Sequence, residues 1–331
     1  MPDLEHKGLL DREIFSDEIQ KSFKDQLHTL EQIINYGTNL IPRCFSSSNK
    51  GIPEIVVILS FLKHAVSSLD GIHILVKEGS ALSCVPLLRS LFEINLYLEW
   101  IFESDTKSRA TAYFVWEQRR KIFWYKCYII GTPEFEAHEN HMKDSLIMGI
   151  SLGQSQEELK SEVSLLESKL AHPDLRDVNG KFDDFISNSR RGGRKSPEWY
   201  QPFGPDTIRG MAKSLKKEGE YKVIYSQFSQ NSHGLSFYRQ ISFGGSEGKI
   251  GFEPIRSLDS IDEIFTWSFN FSIEIFRRII KEYRSGEIDA FNRKYLEEWR
   301  ASVTSVPVVK KTGNGFTVTP CAPREMPSPG C

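Results

Sequence analysis

In the stretch "YSQFSQNSHG", residues 225–234, Tyr225, Ser229 and His233 stand at spacings of four and a glycine follows. A helix advances 3.6 residues per turn, so this spacing keeps the three side chains on one face. A serine one turn before a histidine has the residue types of a nucleophile and its base, although such pairs are defined by geometry rather than by spacing. A histidine near a helix C-terminus is drawn toward the imidazolium form by the helix dipole, and a carboxylate beside it adds to that pull. The same stripe also describes the wet side of a surface helix, and both readings stand.

A second stripe lies in "CVPLLRSLFEINLYLEWIF", where nearly every position is apolar and the helix should be buried on most sides. Within it Arg89, Glu93 and Tyr97 fall at i, i+4 and i+8. A charge taken out of water must be paired and hydrogen-bonded, at a cost on the order of several kcal/mol otherwise. Arginine before glutamate is the weaker order for a helical pair, so partners from other helices are expected. One reading is a structural ion pair that fixes the register of a bundle; the other is a functional pocket. The preceding helix offers Lys63, Ser67 and Asp70 on one face with His64 beside them. Asp70 and His64 are candidates for a supporting role behind the pocket, against the plainer reading of His64 as a satisfied structural group.

Nucleic acid is a third theme. From Arg190 to Lys217 there are eight basic residues and two acidic ones, with Trp199, Tyr200 and Phe203 interleaved. Phosphate contacts from Arg190, Arg191, Arg194 and Lys195, with base stacking on Trp199, would suit a single strand. The alternative is a solvated loop that lays its aromatic rings on the bundle. Other motifs fail. "HENH" at 138–141 lacks the histidine that zinc-protease spacing needs at 142, where Met142 stands, which leaves at most a two-histidine site assisted by Glu134 or an exposed acidic helix. "GGSEGKIG" is one residue short of a P-loop and ends in Ile250. No metal and no cofactor is expected.

The elements that must position these groups read mostly as helix: 16–45, 52–78, 81–103 and 105–130, then shorter ones near 155–172, 205–217 and 225–234, and a last long one over 258–285 with a short one at 287–299. Long helices joined by short loops favour antiparallel packing, so the fold class is all-α, a multi-helix antiparallel bundle. "FYRQISFGGSEGKIGFEP" reads as a small glycine-rich hairpin or loop insert. The expected division is an N-terminal arm over 1–15, the bundle over 16–300 and a loose Pro-rich tail over 301–331. That tail contains a marginal hairpin around Asn314-Gly315.

Composition narrows the classes. A net charge of −2 excludes a protein that binds polyanions with its whole surface. The N-terminus has no apolar run after a basic start, and "IVVILSFL" falls short of the roughly 20 residues a bilayer needs. Five scattered cysteines without a CxxC pair argue against a disulfide framework or structural zinc. A cytoplasmic protein without a membrane partner follows.

The helix "LLRSLFEINLYLEW", following "SSLDGIHIL" and followed later by Y-x-x-x-S-x-x-x-H, resembles a bacterial domain-of-unknown-function family, number 5677, over roughly residues 50–240. The resemblance implies an all-helical bundle in which Arg89, Glu93, Tyr225, Ser229 and His233 converge, with Asp70 nearby; it implies no reaction. A fainter likeness is to HEPN ribonucleases, helical proteins of toxins and phage defence that act as dimers. Their arginine, separated from the histidine by four to six residues, would fall at 226–228, which are Ser, Gln and Phe, so their catalytic roles do not carry over. The leading expectation is a polar pocket for a small or nucleotide-like ligand, with Arg89 on its anionic group, Glu93 orienting His233 or Arg89, and His233 as proton carrier. The alternatives are a metal-independent RNA-cleaving effector and a protein-interaction module with a structural polar cluster. The partners expected are a small ligand or RNA, and a homodimer is allowed.

Overall fold

Amphipathic repeats become helices along most of the chain. The structure, a computed structural model, describes residues 9–48, 50–143, 153–189, 196–226, 241–244, 249–312 and 315–321. The helices are α1 (Arg12–Ser22), α2 (Lys24–Ser47), α3 (Ile52–Lys77), α4 (Val85–Glu103), α5 (Thr106–Lys126), α6 (Pro133–Met142), α7 (Gln156–Leu170), α8 (Pro173–Ser189), α9 (Ile208–Ser214), α10 (Ile261–Tyr283), α11 (Ile288–Lys294) and α12 (Arg300–Thr304). Wider π-helical turns cover Tyr221–Ser226 and Tyr295–Trp299. Two antiparallel hairpins complete the all-α frame: β1 (Ile241–Gly244) with β2 (Lys249–Phe252), and β3 (Val308–Thr312) with β4 (Gly315–Thr319). Where periodicity suggests one bundle over 16–300, the chain divides into two compact units, Met1–Asn49 with Ile58–Trp100 and Ala212–Cys331, and Lys50–Val57 with Ile101–Met211.

The first unit is organised by aromatic residues. The helix expected over 16–45 breaks at Phe23, whose φ of −120° and ψ of 24° leave the helical region. Phe23 is fully buried and stacks on Phe265 of α10 at 5.5 Å. Tyr36 of α2 meets Phe276, Phe291 and Trp299 at 6.0, 5.5 and 5.6 Å. The Trp299 indole N–H donates to Gln32 at 3.1 Å, which satisfies the one polar atom of a sealed side chain. Full burial of such rings removes roughly 1.5–3 kcal/mol of apolar exposure each. Gln26 donates to the carbonyls of Ser302 and Ser305, tying the end of α12 to α2.

In the described part of the tail Val303 and Val306 are buried, and the Val309 amide donates to Asp262 in the first turn of α10 at 3.3 Å. The expected hairpin forms at 308–319 and rests on the first unit, so it does not have to stand alone in water.

In the second unit Asp105 caps α5 by accepting from the Ser108 amide, and Ser155 and Glu158 close a capping box on α7. Lys126 of α5 pairs with Glu167 of α7 at 2.8 Å, while Arg119 donates to Asn179 and Asp183 of α8 at 2.7 and 2.8 Å. Ile129, Leu159 and Val163 form an apolar cluster under the α5–α7 contact.

Two segments, Ile52–Lys77 and Ala81–Glu103, are long and apolar enough to cross a membrane, which the short run at 55–62 understates; 61% and 56% of their most apolar windows are buried inside the protein.

Gly37 shows how closely α2 approaches its neighbours. A Cβ placed there would lie 2.6 Å from both Phe276 Cζ and Val66 Cγ2. Alanine would gain up to about 1 kcal/mol in helix propensity. Overpacking at such a contact costs about 1–3 kcal/mol. Gly37→Ala is expected to lower stability in urea denaturation; an equal or higher midpoint would show that α2 can shift away from α10 freely.

Candidate functional site

Helix α4 buries Leu88, Leu91, Phe92, Ile94, Leu96 and Leu98, so each polar group on it must find a partner nearby. On one face the Arg89 Nε donates to Glu93 Oε1 at 3.0 Å, one turn on. Their side chains are 24% and 23% exposed, so the pair is neither sealed nor fully in water. Next to Arg89 in sequence, the Ser90 hydroxyl lies 3.2 Å from His64 Nε2 on α3, and the Tyr97 ring packs on Phe61 at 5.9 Å. The Arg89 stripe thus meets the His64 face of α3, and His64 reaches it through Ser90. Lys63, Ser67 and Asp70 are exposed, and among the described residues Asp70 makes no hydrogen bond or ion pair with Arg89 or Glu93. The Tyr225 backbone lies in the π-helical turn; its side chain, Ser229 and His233 lie outside what is described.

The same helix carries a second polar pair on another face, Asn95 and Glu99. Asn95 is fully buried. Its amide donates to Glu274 Oε2 at 2.8 Å, and its carbonyl oxygen accepts from Arg278. Arg278 Nη2 is 2.5 Å from Glu99 and 3.4 Å from Glu274. Lys217, only 12% exposed, places its ammonium 3.2 Å from Glu274, 3.2 Å from Glu220 and 3.8 Å from Glu99. Three carboxylates, two cations and one amide therefore join α4, α10 and the 217–220 turn.

The electrostatics divide the carboxylates. Burial pushes Glu99 up, and Arg278 and Lys217 only partly offset it. Burial also pushes Glu274 upward, but Lys217, the Asn95 amide and Arg278 together outweigh it and hold the group below its ordinary value. For Lys217 burial favours the neutral amine, yet Glu274, Glu220 and Glu99 raise it above the usual lysine range. Shifts from burial plus named charges are a mark of functional positions and of structural ion networks alike. Burial disfavours the thiolate form of the sealed cysteines, raising Cys44 to about 11 and Cys84 to about 12.

Sequence reasoning found the Arg89 pair but missed Asn95, Glu99, Lys217, Glu274 and Arg278. The signal was present. Asn95 and Glu99 sit one turn apart in the same greasy helix, as do Glu274 and Arg278 in "NFSIEIFRRII". The nucleic-acid expectation changes too. Trp199 is 2% exposed and packs edge-on against Tyr113 at 5.4 Å, so it offers no face for stacking. Arg190, Arg191, Arg194 and Lys195 lie outside the described residues. On α6, His138 rests against Tyr128 and His141 lies 2.6 Å from the Ala137 carbonyl oxygen.

Fold and site together define an all-α protein whose central helix carries two separate polar clusters. The chain belongs to the family of unknown function DUF5677, whose model matches residues 55–249, more than half of its length. No curated protein and no solved structure matches it. The match gives no support to the HEPN likeness.

The opposed shifts make a signed prediction. A raised value means that folded Glu99 keeps its proton at pH values where the unfolded chain has lost it, so this group's contribution falls as pH rises above its ordinary 4.5. Glu274 acts in the other sense: its contribution is present above the ordinary value and lost as pH falls through the depressed one. Glu99→Gln keeps the shape and removes the first loss. Its stability relative to wild type is expected to improve between about pH 4 and about pH 7 in urea denaturation; a constant difference across that range would show that Glu99 titrates ordinarily.

Proposed function

We propose that the protein binds a small, nucleotide-like ligand through an anionic group held by Arg89. Glu93 orients the guanidinium, and Tyr225, Ser229 and His233 face the ligand from the segment that follows Lys217. The observation that carries this reading is the partly exposed Arg89–Glu93 pair on a helix with an extensive buried face.

Two further features support it. Lys217 fixes the start of the 217–226 segment to Glu99 of α4 and to Glu274. The π-helical turn at Tyr221–Ser226 is also of a kind found disproportionately at functional sites.

The test is isothermal titration of the full chain with AMP, GMP, CMP, UMP and inorganic phosphate. At least one nucleotide is expected to bind saturably, with Arg89→Gln weakening it roughly tenfold or more, the scale of a lost hydrogen bond to a charged group. Titrations without saturable heat, or an Arg89→Gln protein that binds as wild type does, would sink the reading. A labelled RNA incubated with the same preparations separates binding from cleavage: scission lost in His233→Ala would make the stripe a ribonuclease site instead.

A further inference from the structure

Helix α5 presents an unusual outer face. Its exposed positions are Lys107, Arg120, Lys121, Phe123 and Trp124, three cations and two aromatic rings. Phe123 and Trp124 are 51% and 49% exposed, and their rings meet edge-on at 5.8 Å. One turn before Trp124 the Arg120 guanidinium lies 4.5 Å over the Trp116 ring, and Glu117 holds it at 3.0 Å. Trp116, Arg120 and Trp124 thus form a ladder at i, i+4 and i+8, with rungs about 6 Å apart along the helix. Lys121 extends its ammonium over the Tyr125 ring at 5.2 Å.

Charge selects the occupant. The helix carries six basic residues against Glu117 alone. Arg109, Arg119 and Lys126 are held by Glu103, Asp183 and Glu167 on other segments, whereas Lys121 and Arg120, the latter paired with Glu117 of its own helix, are the cations beside the exposed rings. Solvent-facing aromatic rings interleaved with cations are the arrangement that takes unpaired bases on their π-faces and phosphates on the flanking charges. An interfacial membrane helix needs a continuous apolar stripe, whereas the exposed rings of α5 occupy a single turn.

We infer that this face of α5 binds single-stranded nucleic acid, with Trp124 and Phe123 stacking on bases and Arg120 and Lys121 contacting phosphates. The platform replaces the role that Trp199 cannot fill. Trp116 is itself fixed, because its indole N–H donates at 2.9 Å to the carbonyl of Pro197. None of this depends on a ligand at Arg89.

The experiment is fluorescence anisotropy of the full chain with a labelled oligouridine of about 12 nucleotides, within the span of single-strand sites. A duplex of the same length and phosphatidylserine-containing vesicles serve as competitors. Saturable, salt-sensitive binding of the single strand is expected. Trp124→Ala should weaken it roughly 5- to 100-fold, the range that loss of one stacking platform gives. Trp124→Phe should retain most of the affinity, and unchanged far-UV circular dichroism in both variants would separate stacking from folding. Equal affinity of wild type and Trp124→Ala, absence of oligouridine binding, or binding displaced only by vesicles would overturn the proposal.

Discussion

The Asn95 side chain has no solvent access, yet it must satisfy an amide on a helix packed on nearly every side. Its nitrogen donates to Glu274 and its oxygen accepts from Arg278. Either partner alone would leave one end of the amide bare, at about 1–3 kcal/mol for a buried unsatisfied group. Once both partners are recruited from α10, their charges demand compensation in turn, and Glu99 and Lys217 supply it. The network is thus a chain of obligations that starts from one buried polar atom pair. It fixes the rotation of α4 against α10 more tightly than interchangeable apolar contacts would.

The division of proton affinity follows from the same geometry. Glu99 and Glu274 share Arg278 and Lys217; Glu99 has the closer guanidinium, at 2.5 Å against 3.4 Å, whereas Glu274 has the Asn95 hydrogen bond and the closer ammonium, at 3.2 Å against 3.8 Å. The group with the better partners keeps its charge, and the other bears the cost of desolvation. Lys217 is the hinge of this balance, because it also holds Glu220 and so fixes the turn that leads into the π-helical segment. Its own contribution is complete below the ordinary lysine value and is lost as pH rises through the raised one.

Much of this was legible in advance. The helices from 52 to 126 follow their apolar periodicity to within a few residues, and both hairpins formed where glycine-rich or Asn-Gly turns stood between alternating runs. The break at Phe23 was not legible, because the apolar period continues through it and the ring it stacks on, Phe265, lies far away in sequence. Arg89 and Glu93 stood out as a charged pair one turn apart. Asn95 was passed over because a single neutral amide barely disturbs a hydrophobic pattern, although its burial makes it the more constrained residue. Lys217 was read with its basic neighbours as part of an electrostatic surface. Besides Glu220, its carboxylate partners lie 57 and 118 residues away in sequence, at Glu274 and Glu99, and spacing cannot reveal those two.

The matched family segment ends at residue 249, whereas Glu274 and Arg278 lie beyond it. A fragment limited to 55–249 would keep Asn95, Glu99 and Lys217 but lose both α10 partners of the buried amide. It would also expose the face of α4 on which Phe92 meets Phe271 at 5.8 Å. Apolar contact and polar satisfaction therefore fail together at the same boundary. Helix α10 is not an appendage to the matched segment: with Phe265, Phe269 and Phe276 fully buried and the network anchored on it, it is the element against which α4 is defined. Any function that depends on where α4 holds Arg89 and Glu93 depends on α10 as well.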